Sequence, residues 1–326
     1  MKNNGHEIRI ENENIIIDNL NDFILSQVLE CGQCFRFDKI GEEEYIIIAK
    51  DRSVHIKQEN NCLIFFQTSI EDYKNIWNRY FDIDRDYEKI KRDLLKRDPL
   101  LKTAIQSKNG IRILNQDFFE MLITFIISQN KQILHIKQIV KNISERYGDE
   151  IIDGQGNKVY MFPKVDVLVK VSEDELRECK VGFRAPYIVD ACNCVYNGRV
   201  TEDILQSLDI DQARELLMTI KGVGEKVANC VLLFGLGRRE VFPVDVWMKR
   251  IMEDLYLKEE TPNKKIEEYA YNKYGELGGY AQQYLFMYGR EKGKKQDLWK
   301  IYKIGIDFFW KCYTIINVLA LWYSEC

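Results

Sequence analysis

Apolar and polar positions divide the chain into two regimes. Over the first eighty residues they follow strand patterns. Glu7 to Ile17 alternates, Tyr45-Ile46-Ile47-Ile48-Ala49 is a short β-branched run, and Leu63-Ile64-Phe65-Phe66 is another. Turn material separates these runs at Gly41 to Glu44 and at Glu59-Asn60-Asn61, which predicts an antiparallel sheet packed on helices. From about Asp82 the spacing becomes helical. Phe118, Phe119, Leu122, Ile123, Ile126 and Ile127 form one apolar stripe, and Ile133, Ile136, Ile139, Val140 and Ile143 form a second. Gly148 to Lys158 is polar and glycine-rich and reads as a loop. Further helices are expected at Glu173–Cys179, Ala185–Asn197, Thr201–Leu208, Asp211–Thr219, Glu225–Phe234, Asp245–Asp254, Lys264–Tyr274 and Gly279–Tyr288.

The pattern predicts an α+β protein with an N-terminal antiparallel β-sheet domain and its flanking helices over residues 1–105. An all-helical region follows over 106–290. Residues 291–326 form an apolar C-terminal extension to which the sequence assigns no role. Asp307 and Lys311 interrupt it, and the apolar run they leave, Cys312 to Tyr323, is short of the ~20 residues a membrane span needs, so no membrane association is expected.

Composition changes this picture little. The 326 residues, 46% hydrophobic and 30% charged, describe an ordinary globular protein with room for two domains. Nine cysteines in a chain of this length without a signal peptide point to a reducing cytoplasm, at the nucleoid if the chain is bacterial. Cys31-x-x-Cys34 and Cys192-x-Cys194 lack a second pair at zinc spacing, and His6, His55 and His135 are scattered, so no metal is expected. A late four-cysteine cluster of the iron–sulfur kind is also missing.

The formal charge of −4 is concentrated at the front: residues 1–80 hold 9 basic against 14 acidic side chains. Residues 85–112 carry nine basic side chains against four acidic ones, which suits a solvated helix face or a surface that attracts phosphate.

Two stretches carry candidate chemistry. Lys221-Gly222-Val223-Gly224-Glu225-Lys226 reads as a glycine hairpin between two helices. Its glycines leave amide protons unshielded, and with the positive end of the next helix the amides of Gly222, Val223 and Gly224 form an anion site suited to a DNA phosphate. Lys226 falls in the opening turn of that helix. The helix's positive end disfavours an ammonium and so favours a neutral, nucleophilic amine. Asp245 follows Val241-Phe242-Pro243-Val244 at an N-cap position, where it stays ionised and can face a developing cation. An αα-turn, a solvated lysine and an ordinary cap are the plain readings of these residues taken singly. Their combination favours cleavage of a base–sugar bond.

At this point the chain resembles the 8-oxoguanine DNA glycosylase family of the helix-hairpin-helix DNA glycosylase superfamily, in blocks between residues 7 and 290. The match covers Leu217 to Leu233 and Val241 to Val246. It implies that Lys226 is a Schiff-base nucleophile, that Asp245 assists it and that Cys230 lies beside the lesion base. Gly32-Gln33-Cys34-Phe35-Arg36-Phe37 resembles the family block whose glycine carbonyl accepts the extra ring proton of 8-oxoguanine. Gly279 to Phe286 resembles the segment that reads the everted base, with Gln282 on its pairing edge and Phe286 on its face. Ser128-Gln129-Asn130 resembles the segment that enters the duplex. Asn130 would fill the vacated space, with Phe183 and Arg184 on the orphaned cytosine.

His135 stands where relatives often have arginine and Phe183 where they have tyrosine, which predicts a weaker preference for cytosine opposite the lesion. Trp247 stands in place of a histidine at a phosphate contact, and Gly289 in place of an acidic residue, as a compensating pair. The resemblance implies a monomer acting on 8-oxoguanine in double-stranded DNA through glycosylase and β-elimination steps, with no cofactor. Two alternatives stay open: a glycosylase of the same superfamily for another damaged base, and a non-catalytic binder that uses the hairpin as a phosphate clamp.

Overall fold

The structure, a computed structural model, describes residues 2–3 and 6–290; the C-terminal extension lies outside the described residues. Seven strands run in chain order: β1 (Lys2–Asn3), β2 (His6–Glu11), β3 (Asn14–Asp18), β4 (Phe37–Gly41), β5 (Glu44–Ala49), β6 (Arg52–Glu59) and β7 (Cys62–Phe66). They form one antiparallel sheet in the order β1-β2-β3-β7-β6-β5-β4. Asn12 and Glu13, both left-handed, make the two-residue turn between β2 and β3 and set the Ile8↔Ile17 register. Alternation in β6 and β7 sends Val54, Ile56, Leu63 and Phe65 inward. There they meet Phe23, the short Leu25–Leu29 helix and the aromatic residues Tyr73, Trp77, Tyr80 and Phe81.

The second core is helical, as the 3.6-residue periodicity predicts. Its centre is the helix Phe118–Ser128, with eight residues buried, flanked by Ile133–Tyr147, Ala185–Tyr196 and Glu225–Phe234. Residues 148–158, expected as a loop, instead contribute to a small antiparallel hairpin of Glu150–Ile152 with Lys158–Tyr160. Three residues per strand are too few for alternation to register in the sequence. The helix Tyr87–Arg97 buries Tyr87, Ile90 and Leu94 in this second core rather than against the sheet.

Buried polar side chains join the two cores. Arg112, 1% exposed, donates to the carbonyls of Asp22, Asp82, Ile83 and Arg85 and stacks 4.4 Å over the Tyr87 ring. Lys91 is buried against Asp22 and Asn109. The basic run therefore turns three of its cations inward, Lys91, Lys108 and Arg112, and is neither a uniformly solvated helix face nor a uniform phosphate-attracting one.

Candidate active site

The block beginning at Gly32 owes its shape to its neighbours in sequence. Gln33, 1% exposed, donates to the carbonyls of Val28 (2.8 Å) and Arg112 (2.7 Å) and accepts from the Leu114 amide at 2.9 Å. Phe35 packs edge-on to Phe125, and Arg36 pairs with Glu120 at 3.2 Å. Burial pushes the Glu120 carboxyl up, against the pull of that guanidinium. So stapled, Gly32 is held at φ +92°, a conformation that a side chain would strain. A Cβ there would lie 3.3 Å from Ile133 and 3.6 Å from the Arg290 guanidinium.

The hairpin joins the helix Ile210–Met218, opened by an Asp209/Gln212 capping box, to Glu225–Phe234. Buried Asn229 ties the pair together: it accepts from Arg214 Nε at 2.7 Å and donates to Glu267 at 3.0 Å. Gly222 is left-handed at φ +79°, and a Cβ on it would lie 2.3 Å from the Tyr187 ring. The amide of Val223, expected among the phosphate donors, instead closes the turn on the Ile220 carbonyl at 3.0 Å, and its side chain is buried. Gly222 and Gly224 are exposed on either side of it.

Lys226 is the second residue of its helix and half-buried, with its Nζ 3.5 Å from Ser128 Oγ and 5.5 Å from the centre of the Phe125 ring. One turn on, Cys230 is buried. Burial pushes its thiol up, neighbouring Lys226 pulls it down and Asp245 pushes it up again, so both charges lie within electrostatic reach of the sulfur. Asp245 is the N-cap of Val246–Met252, and its Oδ1 accepts from the Met248 amide at 2.7 Å. The preceding Pro243 carbonyl accepts from Gln282 Nε2 at 3.4 Å, while Gln282 Oε1 accepts from Gln283 at 2.7 Å. Gln282 is therefore buried with both ends of its amide engaged, where the sequence had it presenting a free edge. Phe286, half-buried on the helix 278–290, lies 5.8 Å from the Arg290 guanidinium, which reaches the carbonyls of Glu30 and Cys31. The helix 278–290 and the Gly32 block thus meet.

On the other side of Lys226, Asn130 is exposed in a left-handed turn (φ +52°) just past the helix that ends at Ser128. Phe183 is 56% exposed and His135 is exposed on the following helix. Arg184 departs from expectation. It is 2% exposed and donates to the carbonyls of Val181 and Gln129, with its guanidinium 4.3 Å from the Phe183 ring. Its Nε has no hydrogen-bond partner, but buried as it is the side chain presents little open surface. Trp247 is 38% exposed with the Arg250 guanidinium 5.5 Å from its ring, and Gly289 leaves room for Ile251, whose Cδ1 would be 2.2 Å from a Cβ there. Sequence reasoning had assigned no role to Tyr187 or Asp190 and had not foreseen the contact of Ser128 with Lys226; these contacts span 31 to 98 residues, and no local pattern marks them.

Among the described residues no group of three metal-ligating side chains is assembled, and no helix is long and apolar enough to cross a membrane.

Residues 15–122 match the family model described as 8-oxoguanine DNA glycosylase, N-terminal domain, and residues 123–276 that of the HhH-GPD superfamily base excision DNA repair protein. A probable N-glycosylase/DNA lyase of Methanothermobacter thermautotrophicus is 32% identical over 70% of this chain and 77% of its own length. An N-glycosylase/DNA lyase of Arabidopsis thaliana is 30% identical over 78% and 74%. The crystal structure of the Clostridium acetobutylicum 8-oxoguanine glycosylase/lyase, in complex with double-stranded DNA containing cytosine opposite to 8-oxoG, superposes with a TM-score of 0.84. It is 40% identical and covers 88% of this chain and 98% of that one. The chain belongs to the 8-oxoguanine DNA glycosylase family, the N-glycosylase/DNA lyases of the HhH-GPD base excision repair superfamily.

Proposed function

We propose that Lys226 is the nucleophile with which this glycosylase/lyase removes 8-oxoguanine from double-stranded DNA, and that the protein acts as a monomer in a reducing cytoplasm. The observation that carries the reading is the convergence of Lys226, Cys230 and Asp245 where the hairpin's second helix meets an aspartate-capped helix.

The steps follow from that geometry. The amides of Gly222 and Gly224, at the positive end of the next helix, hold a backbone phosphate. Asn130 enters the duplex as the lesion leaves the stack, an eversion that costs a few kcal/mol. Phe286 stacks on the everted base beside Cys230, and Gln282 reads its edge once its bond to Pro243 exchanges. The Gly32 carbonyl accepts the proton on ring nitrogen seven, where guanine presents a lone pair instead. His135, Phe183 and Trp247 border the DNA; Arg184 fixes the turn beneath them.

The neutral amine of Lys226 attacks the anomeric carbon while the glycosidic bond breaks and its electron pair leaves with the base, which takes up a proton. Ionised Asp245 stabilises the cationic sugar in between. The lysine–sugar adduct then gives up an amine proton as the bond between the anomeric carbon and the ring oxygen opens, the oxygen takes up a proton, and a protonated imine results; loss of a proton from its adjacent carbon expels the 3′ phosphate and nicks the strand.

A duplex with one 8-oxoguanine tests the proposal. Free base and nicked strand should appear together, and borohydride should trap a protein–DNA adduct. Lys226→Gln should give none of the three. Release of base by that variant at the wild-type rate would overturn the assignment.

A further inference from the structure

The contacts of the Ala185–Tyr196 helix reach in two directions. Towards the hairpin, Asp190 Oδ2 accepts from the Lys221 backbone amide at 2.7 Å, and the Tyr187 ring lies flat under Gly222. Towards the duplex-entering turn, Tyr187 meets Phe183 edge-on at 6.1 Å, and Phe183 covers Arg184, which donates to the carbonyl of Gln129, the residue before Asn130. Ser128, one position earlier, accepts from Lys226 and closes the loop back to the hairpin's own second helix.

We infer that Tyr187 and Asp190 are positioning residues: they hold the hairpin in its phosphate-gripping form and fix its distance from the turn that carries Asn130. This deepens the reading of the hairpin as a phosphate clamp and rests on it.

Electrostatics argues that geometry is the reason for the carboxylate. A negative side chain bonded to the hairpin backbone repels the phosphate that the next amides must hold. It opposes binding through its charge and favours binding only by ordering the turn. Val223 points the same way, because its amide is spent on closing the turn and leaves fewer donors, whose direction must then be right. Tyr187 supplies the complementary constraint, since its ring permits only a glycine at 222.

The two contributions of Asp190 separate by substitution. Asp190→Asn keeps an oxygen that can accept the Lys221 amide and removes the charge, whereas Asp190→Ala removes both. Affinity for an 8-oxoguanine duplex, measured across a salt series, should therefore rank Asp190→Asn at or above wild type and wild type above Asp190→Ala. The alanine variant should bind about tenfold more weakly at every salt concentration. Its loss should fall on KM more than on kcat.

Wild-type affinity for Asp190→Ala, or equal weakening in Asp190→Asn, would overturn the inference. If the alanine variant does not fold, the ring decides the matter. Tyr187→Phe should bind as wild type and Tyr187→Ala about tenfold more weakly, and equal binding by the two refutes the bracket. Gly222→Ala, which drives a methyl into that ring, tests the clamp itself. Wild-type binding by Gly222→Ala would sink the phosphate-clamp reading, while weakening there without weakening in Asp190→Ala would sink only the bracket.

Discussion

The proposed mechanism gives the Asp245 carboxylate a chemical role besides its structural one, and the two can be separated. Its Oδ1 caps the helix through the Met248 amide, a role asparagine fills equally well. Asp245→Asn should leave thermal stability within about 0.5 kcal/mol of wild type, yet lower the single-turnover excision rate by about 100-fold, because the charge facing the departing base is gone. Asp245→Ala should lose the same rate and about 1 kcal/mol of stability as well. An asparagine variant with an unchanged rate would assign Asp245 to capping alone. Gly32 makes a second case. An alanine there must adopt φ +92°, strain of about 1–2 kcal/mol, and must push Ile133 a few tenths of an ångström, which tilts the carbonyl offered to the lesion. Gly32→Ala should reduce the ratio of 8-oxoguanine to guanine excision; an unchanged ratio would remove Gly32 from recognition. The places of Lys226 in the first turn of a helix and of Asp245 at an N-cap were legible in the sequence because hairpins and caps are local signals. The commitments of Val223, Arg184 and Gln282 were not, because burial and distant backbone partners decide whether a polar atom is free.

At the scale of elements, periodicity located the helices well. Glu225–Phe234 matches to the residue, and the other expected helices agree to within a few positions. Short elements were harder to read: the Leu25–Leu29 helix and the hairpin at 150–160 carry too few residues for either period to stand out. The turn that bears Asn130 is the one proposed to face the opposite base. His135 and Phe183 are exposed beside it, while Arg184, buried under Phe183, is engaged with backbone carbonyls. Few hydrogen bonds then remain to select cytosine. Excision rates opposite the four bases should lie within about tenfold, the worth of roughly one hydrogen bond. A lead of several orders of magnitude for cytosine would show that Arg184 leaves its carbonyls when DNA binds.

Across the whole molecule, the sheet core and the helical core meet through buried polar groups rather than through a purely apolar seam. Arg112 is the largest of these, and its surroundings were invisible in a run of nine basic residues that looked uniformly solvated. Arg112→Ala would strand four carbonyls and two aromatic faces. The loss should be about 3 kcal/mol or more, read as a drop of several degrees in the melting temperature, and a shift of under one degree would contradict the packing described. This joint places the Gly32 block against the helix that carries Phe125 and Ser128, and so beside Lys226. Every step proposed for the site depends on that amine reaching the sugar. The most direct test is to reduce the reaction of the wild-type protein with an 8-oxoguanine duplex using borohydride, digest the adduct and map the modified peptide by mass spectrometry. The account predicts deoxyribose on Lys226 and no adduct from Lys226→Gln; a cross-link on another residue, or one that survives the substitution, would contradict it.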